Sequence, residues 1–231
     1  MGTRYGECAR NKDISKISIN IKPQSTGYKT TRENMNDISN EPNTHNGQGF
    51  VDLGLPSGTL WATCNVGATS PEQAGLYFAF GETEGVTAKQ VENRTRKFDS
   101  ASYTASSISG NLTLEQDAAY VHMGGEWRMP TKRQFMELID NTIQTWTDDY
   151  NGTGVAGCIF TSKVNGNSVL LPAAGGCYNS SLRSVGLFGN YLSASWDSPS
   201  LASYLDFDYR GWGLGSYYRY YGYSVRGVCE K

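Results

Sequence analysis

Residues able to make or break bonds are few in this chain and widely scattered. Its two histidines, His45 and His122, and its five cysteines, Cys8, Cys64, Cys158, Cys177 and Cys229, have no metal-type spacing. No Ser-His-Asp context, phosphate-binding loop or dinucleotide fingerprint surrounds them. A nucleophilic thiol needs a nearby cation or metal to lower its pKa, and Cys177, between Gly176 and Tyr178, has neither in sequence. Cys64 and Cys158 sit in apolar surroundings and read as buried small hydrophobes. No catalysis and no cofactor are expected. The chemistry that is concentrated is contact chemistry, in "YLDFDYRGWGLGSYYRYYGYSVRGV", Tyr204 to Val228.

That segment lies inside a larger compositional gap. From Val164 to Cys229 the chain has no Lys, Glu, Gln or Met, although the 163 preceding residues hold 30 of them. At that rate about twelve would be expected. Nine of the fifteen tyrosines fall between Tyr178 and Tyr223. Tyrosine supplies large, rigid contact area at low entropic cost, and Ser, Gly and Asn adapt around it, as in antibody paratopes.

The bulk numbers exclude several partners. With 231 residues, net charge −2 and pI near 5.7 there is no basic stripe for nucleic acid, and "NRTRKF" at 93–98 reads as a solvated loop. No run approaches the roughly 18 apolar residues that span a bilayer, and the first residues, "MGTRYGECARNKDISK", lack a signal-peptide core. A calcium site needs six to eight convergent oxygens. "EPN" at 41–43 lies ahead of the domain and "SWDS" at 195–198 is a partial echo, so no metal site is expected.

The elements that must hold the aromatic segment divide the chain in two. Residues 1–49 are polar and read either as an arm for attachment or oligomerisation, with one strand in "ISKISINIKP" and His45 in the linker, or as a disordered leader. Residues 50–231 read as one domain. "GFVDLGLPSGTLWATCNVGA" gives two strands around a Pro-Ser-Gly turn, and "QAGLYFAFGE" gives another. A long polar loop covers Glu82 to about Leu112. "LTLEQDAAYVHMG" predicts a short helix stopped at Gly124-Gly125. "MPTKRQFMELIDNT" predicts a second, with Thr131 as N-cap and Phe135, Leu138 and Ile139 on one face. "GCIFTSK", "SVLLPAAG", "ASYLDFD" and "GYSVRGV" predict strands, giving an α+β domain. In "ASYLDFD", Leu205 and Phe207 should point inward and Tyr204, Asp206 and Asp208 outward. Trp61, Trp127 and Trp196 are expected to be scaffold residues.

Four ordered blocks, "VDLGLPSGTLWATCNVGATSPEQAGLYFAFGE", "GGEWRMPTKRQFMELID", "FTSKVNGNSVLLPAAGG" and "RYYGYSVRGV", resemble the Fibrobacter succinogenes major paralogous domain family, over about Phe50 to Val228. The resemblance implies a C-type-lectin-like fold, related to that of formylglycine-generating enzymes. It also implies kinship with the variable proteins of diversity-generating retroelements, of the Bacteroides and phage type. In those systems template adenines are randomised, and AAY codons become NNY codons that never encode Lys, Glu, Gln, Met or Trp. Trp196 and Trp212 would then be template-fixed. The block "RYYGYSVRGV" would fix Arg219, Tyr220, Gly222, Tyr223, Val225 and Arg226 and leave Tyr221 variable. With a variable region of about 174–223, the candidate ligand-binding residues are Tyr178, Asn179, Ser180, Asn190 and Tyr191 in loops after "LPAAGG", then Tyr204, Asp206, Asp208 and Tyr209. They continue with Gly211, Gly213 and Gly215 shaping a loop, and with Ser216, Tyr217, Tyr218 and Tyr221. The implied partner is a protein or glycan receptor on a cell surface. The implied location is a virion, as a phage tail receptor-binding protein, or a bacterial cell surface. An adhesin or carbohydrate-binding lectin-like module without diversification is the alternative. The oxidases of this fold need paired reactive cysteines, and neither Cys177 nor Cys229 has the matching context.

Overall fold

The computed structural model describes residues 6, 7, 9, 10 and 43–231; the strand expected in "ISKISINIKP" lies outside them. Two short pieces of the arm are described, β1 (Gly6–Glu7) and β2 (Ala9–Arg10). The domain begins ahead of Phe50. β3 (Thr44–His45) and β4 (Gln48–Asp52) are joined by Asn46-Gly47, with φ of 48° and 75°. A two-residue loop with both residues at positive φ matches the twist of a hairpin, and Asn-Gly is the pair that adopts it most readily. The Asn46 amide donates to the Met123 carbonyl at 2.6 Å, and Trp127 Nε1 donates to the His45 carbonyl at 2.9 Å. His45, edge-on to Trp127 at 5.7 Å, is therefore a packed residue of the domain and not part of a linker.

β5 (Leu60–Asn65) and β6 (Tyr77–Phe78) follow. The long polar segment holds a third helix, α1 (Ala88–Glu92), opened by a Thr87–Gln90 capping box. The first expected helix is shorter than its sequence suggests: α2 covers Ala118–Met123 and is preceded by a 3-10 turn at Leu114–Gln116. Asp117 divides the two. Its carboxylate accepts from the backbone N–H of Tyr120 and of Met129, so it starts a new helix instead of continuing one. Gly124, at φ 68°, ends α2. α3 (Lys132–Asn141) has the Thr131 cap, reinforced by Gln134, and buries Phe135, Leu138 and Ile139. Burying each such side chain stabilises the fold by about 1.5–3 kcal/mol.

The remainder is strand: β7 (Thr142–Thr147), β8 (Gly157–Ser162), β9 (Ser168–Pro172), β10 (Gly176–Tyr178), β11 (Ser181–Arg183), β12 (Gly189–Trp196), β13 (Leu201–Asp208), β14 (Gly211–Tyr218), β15 (Tyr223–Ser224) and β16 (Arg226–Cys229). They pair in the orders β1-β14-β13-β12-β15-β6, β16-β5-β4-β3, β2-β7-β8-β9 and β10-β11. All pairings are antiparallel except β12 with β15 and β2 with β7. The fold is thus α+β, mostly antiparallel strands with few short helices. The main core lies where α3 meets the inner face of β12–β14 and β8, around Trp61, Phe135, Phe160, Tyr191, Leu205 and Phe207. A second cluster surrounds Trp127, and a third, with Phe98 and Cys177, lies near the polar segment.

Two buried arginines tie these parts together. Arg226 donates to Asn65 Oδ1 at 2.8 Å and to the carbonyls of Ala62, Thr63 and Leu170. Arg219 donates to the carbonyls of Ile108 and Pro199 at 3.0 Å and of Ala105 at 2.9 Å, which fastens the polar segment to the domain. A guanidinium buried without a carboxylate is tolerable only because most of its N–H groups find such acceptors; Arg219 Nε is buried without one.

Candidate aromatic binding face

The β13–β14 hairpin builds the site by alternation. Leu205, Phe207, Trp212 and Leu214 pack on the main core. Tyr204, Asp206 and Asp208 therefore point to the other face. Their cross-strand partners there are Gly215, Gly213 and Gly211. Glycine on three successive outward positions leaves that half of the face without side chains. The Tyr204 ring lies over the space: a Cβ at Gly215 would stand 3.1 Å from its Cε1. The same device serves Tyr223, whose ring is 2.5 Å from where a Cβ of Gly176 would be.

Seven tyrosine rings meet at one end of this hairpin. Cys177 and Gly222 exchange backbone hydrogen bonds at 2.7 and 3.0 Å, which brings Tyr178 beside Tyr221, stacked at 4.8 Å between centroids. Tyr204 stacks on Tyr223 at 5.6 Å. Tyr217 stands edge-on to Tyr221 at 4.7 Å and to Tyr204 at 6.2 Å. Tyr218 and Tyr220 stack at 5.2 Å. Offset-stacked and edge-to-face pairs are the favoured geometries and add about 0.5–1.5 kcal/mol each beyond area burial. Tyr217 and Tyr218 are exposed, whereas Tyr178, Tyr204, Tyr220 and Tyr221 are half-buried. Burial, with a hydrogen bond to Tyr217, raises the Tyr221 hydroxyl above its usual range, so it stays protonated at neutral pH.

Between these rings lies a cleft of about 290 Å³ lined by Tyr178, Tyr204, Tyr217, Tyr221, Tyr223, Asp206, Asn190 and Arg183, among others. Asp206 is half-buried beside Asn190, its partner on β12. Burial and the nearby Asp208 carboxylate push its pKa up to about 6. No cation among the described residues forms an ion pair with it. Arg183, on the rim, holds its guanidinium over the Tyr178 ring at 5.2 Å.

Several expected site residues are placed elsewhere. Tyr191 is fully buried: it stacks on Phe207 at 5.9 Å, donates to the Pro172 carbonyl at 2.8 Å and accepts from Asn65. It belongs to the inner face of β12, one position out of phase with Asn190, which does face the cleft. Asp208 is also buried, 7% exposed, and paired with Arg210 at 2.5 Å. Burial would raise its carboxyl, but hydrogen bonds from Arg210 hold it below the usual carboxylate range. Gly211, Gly213 and Gly215 are strand residues of β14, not a loop. Ser216 lies opposite the buried Ser203, half-buried. Tyr209 is exposed but sits in the turn at the far end of the hairpin, about 20–25 Å along the strands from Tyr217. It does not share the ring cluster. Asn179, at φ 52°, and Ser180 form the β10–β11 turn, and the backbone of Asn179 bridges to Phe98. Among the tryptophans, Trp61 and Trp127 are fully buried, while Trp196 and Trp212 are half-buried, Trp212 against the main core.

Sequence reasoning missed Arg183, Phe188 and Gly176 in the cleft. The signal available for Arg183 was a lone cation in a stretch without lysine. Two late thiols are withdrawn from chemistry: burial pushes Cys177 up to about 12 and Cys229 up to about 11. Among the described residues no helix is long and apolar enough to cross a membrane. Compared with known protein families, with curated proteins and with solved structures, the chain matches none.

Proposed function

We propose that the chain is a receptor-binding display protein with a C-type-lectin-like domain, whose outward residues are diversified by a retroelement, and that it serves in a phage tail. One observation carries this. The segment that lacks Lys, Glu, Gln and Met is well exposed at many positions, occupied by Asn165, Asn167, Ser168, Asn179, Ser181, Arg183, Ser184, Asp197, Tyr217 and Tyr218. Exposed positions are where lysine and glutamate ordinarily accumulate. Burial therefore does not account for the gap, and a restricted codon alphabet would produce it. The same segment contributes every ring of the cluster around the cleft.

Affinity would come from a few aromatic anchors on a rigid hairpin, the usual pattern of interface hot spots. The buried residues of the segment, Leu205, Phe207 and Val225 among them, would stay constant because they hold the scaffold. Sequencing this locus across a population of its source tests the proposal. Substitutions should collect at Tyr178, Tyr204, Asp206, Tyr217, Tyr218 and Tyr221, at adenines of the template copy, next to a reverse-transcriptase gene. Changes spread evenly over core and face would overturn it.

A further inference from the structure

We propose that the cleft between Tyr178, Tyr204, Tyr217 and Tyr221 receives a single basic side chain, lysine or arginine, from a protein partner, with Asp206 as its counter-ion. This rests on the binding-face reading and adds the ligand's chemical class.

Three observations converge on a cation. First, the cleft is walled by tyrosine rings in stacked and edge-on pairs, and ring faces attract ammonium and guanidinium groups. Second, the carboxylate in the cleft lacks an ion pair among the described residues, although its neighbour Asp208 has one. A half-buried carboxylate without a counter-ion is destabilised, as the raised pKa of Asp206 records, and an incoming cation relieves that cost. Third, the chain already places one cation on this surface, Arg183 over the Tyr178 ring at 5.2 Å. At about 290 Å³ the cleft has room for one inserted side chain, at the small end of the ~300–1,000 Å³ range of ligand pockets.

The groups that face Asp206 set the pH dependence. Asp208 on its own strand raises it, and Arg210 neutralises Asp208. Tyr204 and Tyr223 flank it, Tyr178, Tyr217 and Tyr221 complete the walls, and Arg183 stands on the rim. With Asp206 at about 6, the site is charged at pH 7.5 and mostly neutral at pH 5.

The test is an NMR titration of the full chain, reading tyrosine ring signals. The probes are N-acetyl-lysine amide and N-acetyl-arginine amide, against neutral N-acetyl-norleucine amide and methyl α-mannoside. The basic amides should shift the signals of cleft tyrosines with Kd near the millimolar range. Affinity should fall at least tenfold in Asp206→Asn and about fivefold at pH 5. It should rise about threefold in Arg183→Ala, because a competing cation is removed. Equal binding of the norleucine amide, binding of the mannoside alone, no binding of either basic amide, or unchanged affinity in Asp206→Asn would each overturn the inference. Cell attachment by Tyr217→Ala/Tyr221→Ala protein separates the two levels. If attachment is lost while basic amides fail to bind, only the ligand class is wrong; if attachment persists in the folded variant, the binding face itself is wrong.

Discussion

Tyr178 and Tyr221 lie face to face, 4.8 Å between ring centroids and 15° from parallel, although they come from different ends of the tyrosine-rich segment. The contact exists because Cys177 and Gly222 pair their backbones. Gly222 must be glycine for this, since a Cβ there would approach the Phe98 ring to 2.5 Å. Gly222→Ala should therefore separate the two rings and destabilise the domain by roughly 1–3 kcal/mol, the cost of overpacking. Denaturant unfolding with the NMR ring signals of Tyr178 and Tyr221 checks both effects at once.

The exposed rings and the helix core should rank very differently. Tyr217→Ser and Tyr218→Ser together should cost about 1–2 kcal/mol, because exposed substitutions themselves stay within about ±0.5 kcal/mol each and the remainder is the lost ring pairing with Tyr204, Tyr220 and Tyr221. Phe135→Ala or Leu138→Ala, fully buried on α3, should cost about 2–5 kcal/mol. Thermal unfolding of the variants gives the comparison, and the reverse ranking would mean that core and display surface have been confused.

Asp206 makes a pH prediction whose sign is opposite to that of a salt-bridged carboxylate. Its folded-state pKa of about 6 lies above the ordinary 3.8. Its favourable contribution is therefore complete below about pH 4 and is lost as pH rises through about 6. Asp206→Asn should raise Tm by a few degrees at pH 7.5, at about 2–4 °C per kcal/mol for a chain of this size. The difference should vanish at pH 4. A Tm lowered at pH 7.5 would show that the carboxylate has a stabilising partner.

Arg219 should control the polar segment and the adjoining β12–β13 connection, whose Pro199 carbonyl it also holds. Arg219→Ala removes the donors that hold the carbonyls of Ala105 and Ile108. Amide hydrogen exchange should accelerate across residues 99–112, with α3 protection reduced far less. Uniform acceleration over the whole domain would contradict this local role.

Cysteine labelling of the native protein should spare three thiols. Cys158, Cys177 and Cys229 are buried, whereas Cys64 is partly exposed. Among the cysteines of the described residues, iodoacetamide at neutral pH should modify Cys64 first and reach Cys177 only at the rate of unfolding, read by peptide mass spectrometry. Rapid native labelling of Cys177 would reopen the oxidase alternative.

The sequence by itself determined what depends on near neighbours. Thr131, Gln134, Phe135, Leu138 and Ile139 define α3 because a capping box and a 3.6-residue stripe are local properties. The period of two in "ASYLDFD" fixed which side chains of β13 share a face, for the same reason. Composition alone showed a region with an unusual alphabet. Asn46-Gly47 was an equally local hairpin signal, but it was hidden in a stretch read as linker.

Tertiary structure decided what depends on residues far along the chain. β14 reads as a loop because its alternate positions are glycine, and it becomes a strand through its ladder with β13. Tyr191 and Asn190 both read as loop residues after "LPAAGG", and only the pairing of β12 with β13 sends one into the core and the other toward the cleft. Arg219 and Arg226 are cations that sequence would leave in water. They are buried because carbonyls from distant segments converge on their N–H groups. Side-chain type sets what a residue can exchange with its surroundings. Which surroundings it meets is fixed by strand register, and register is a non-local quantity.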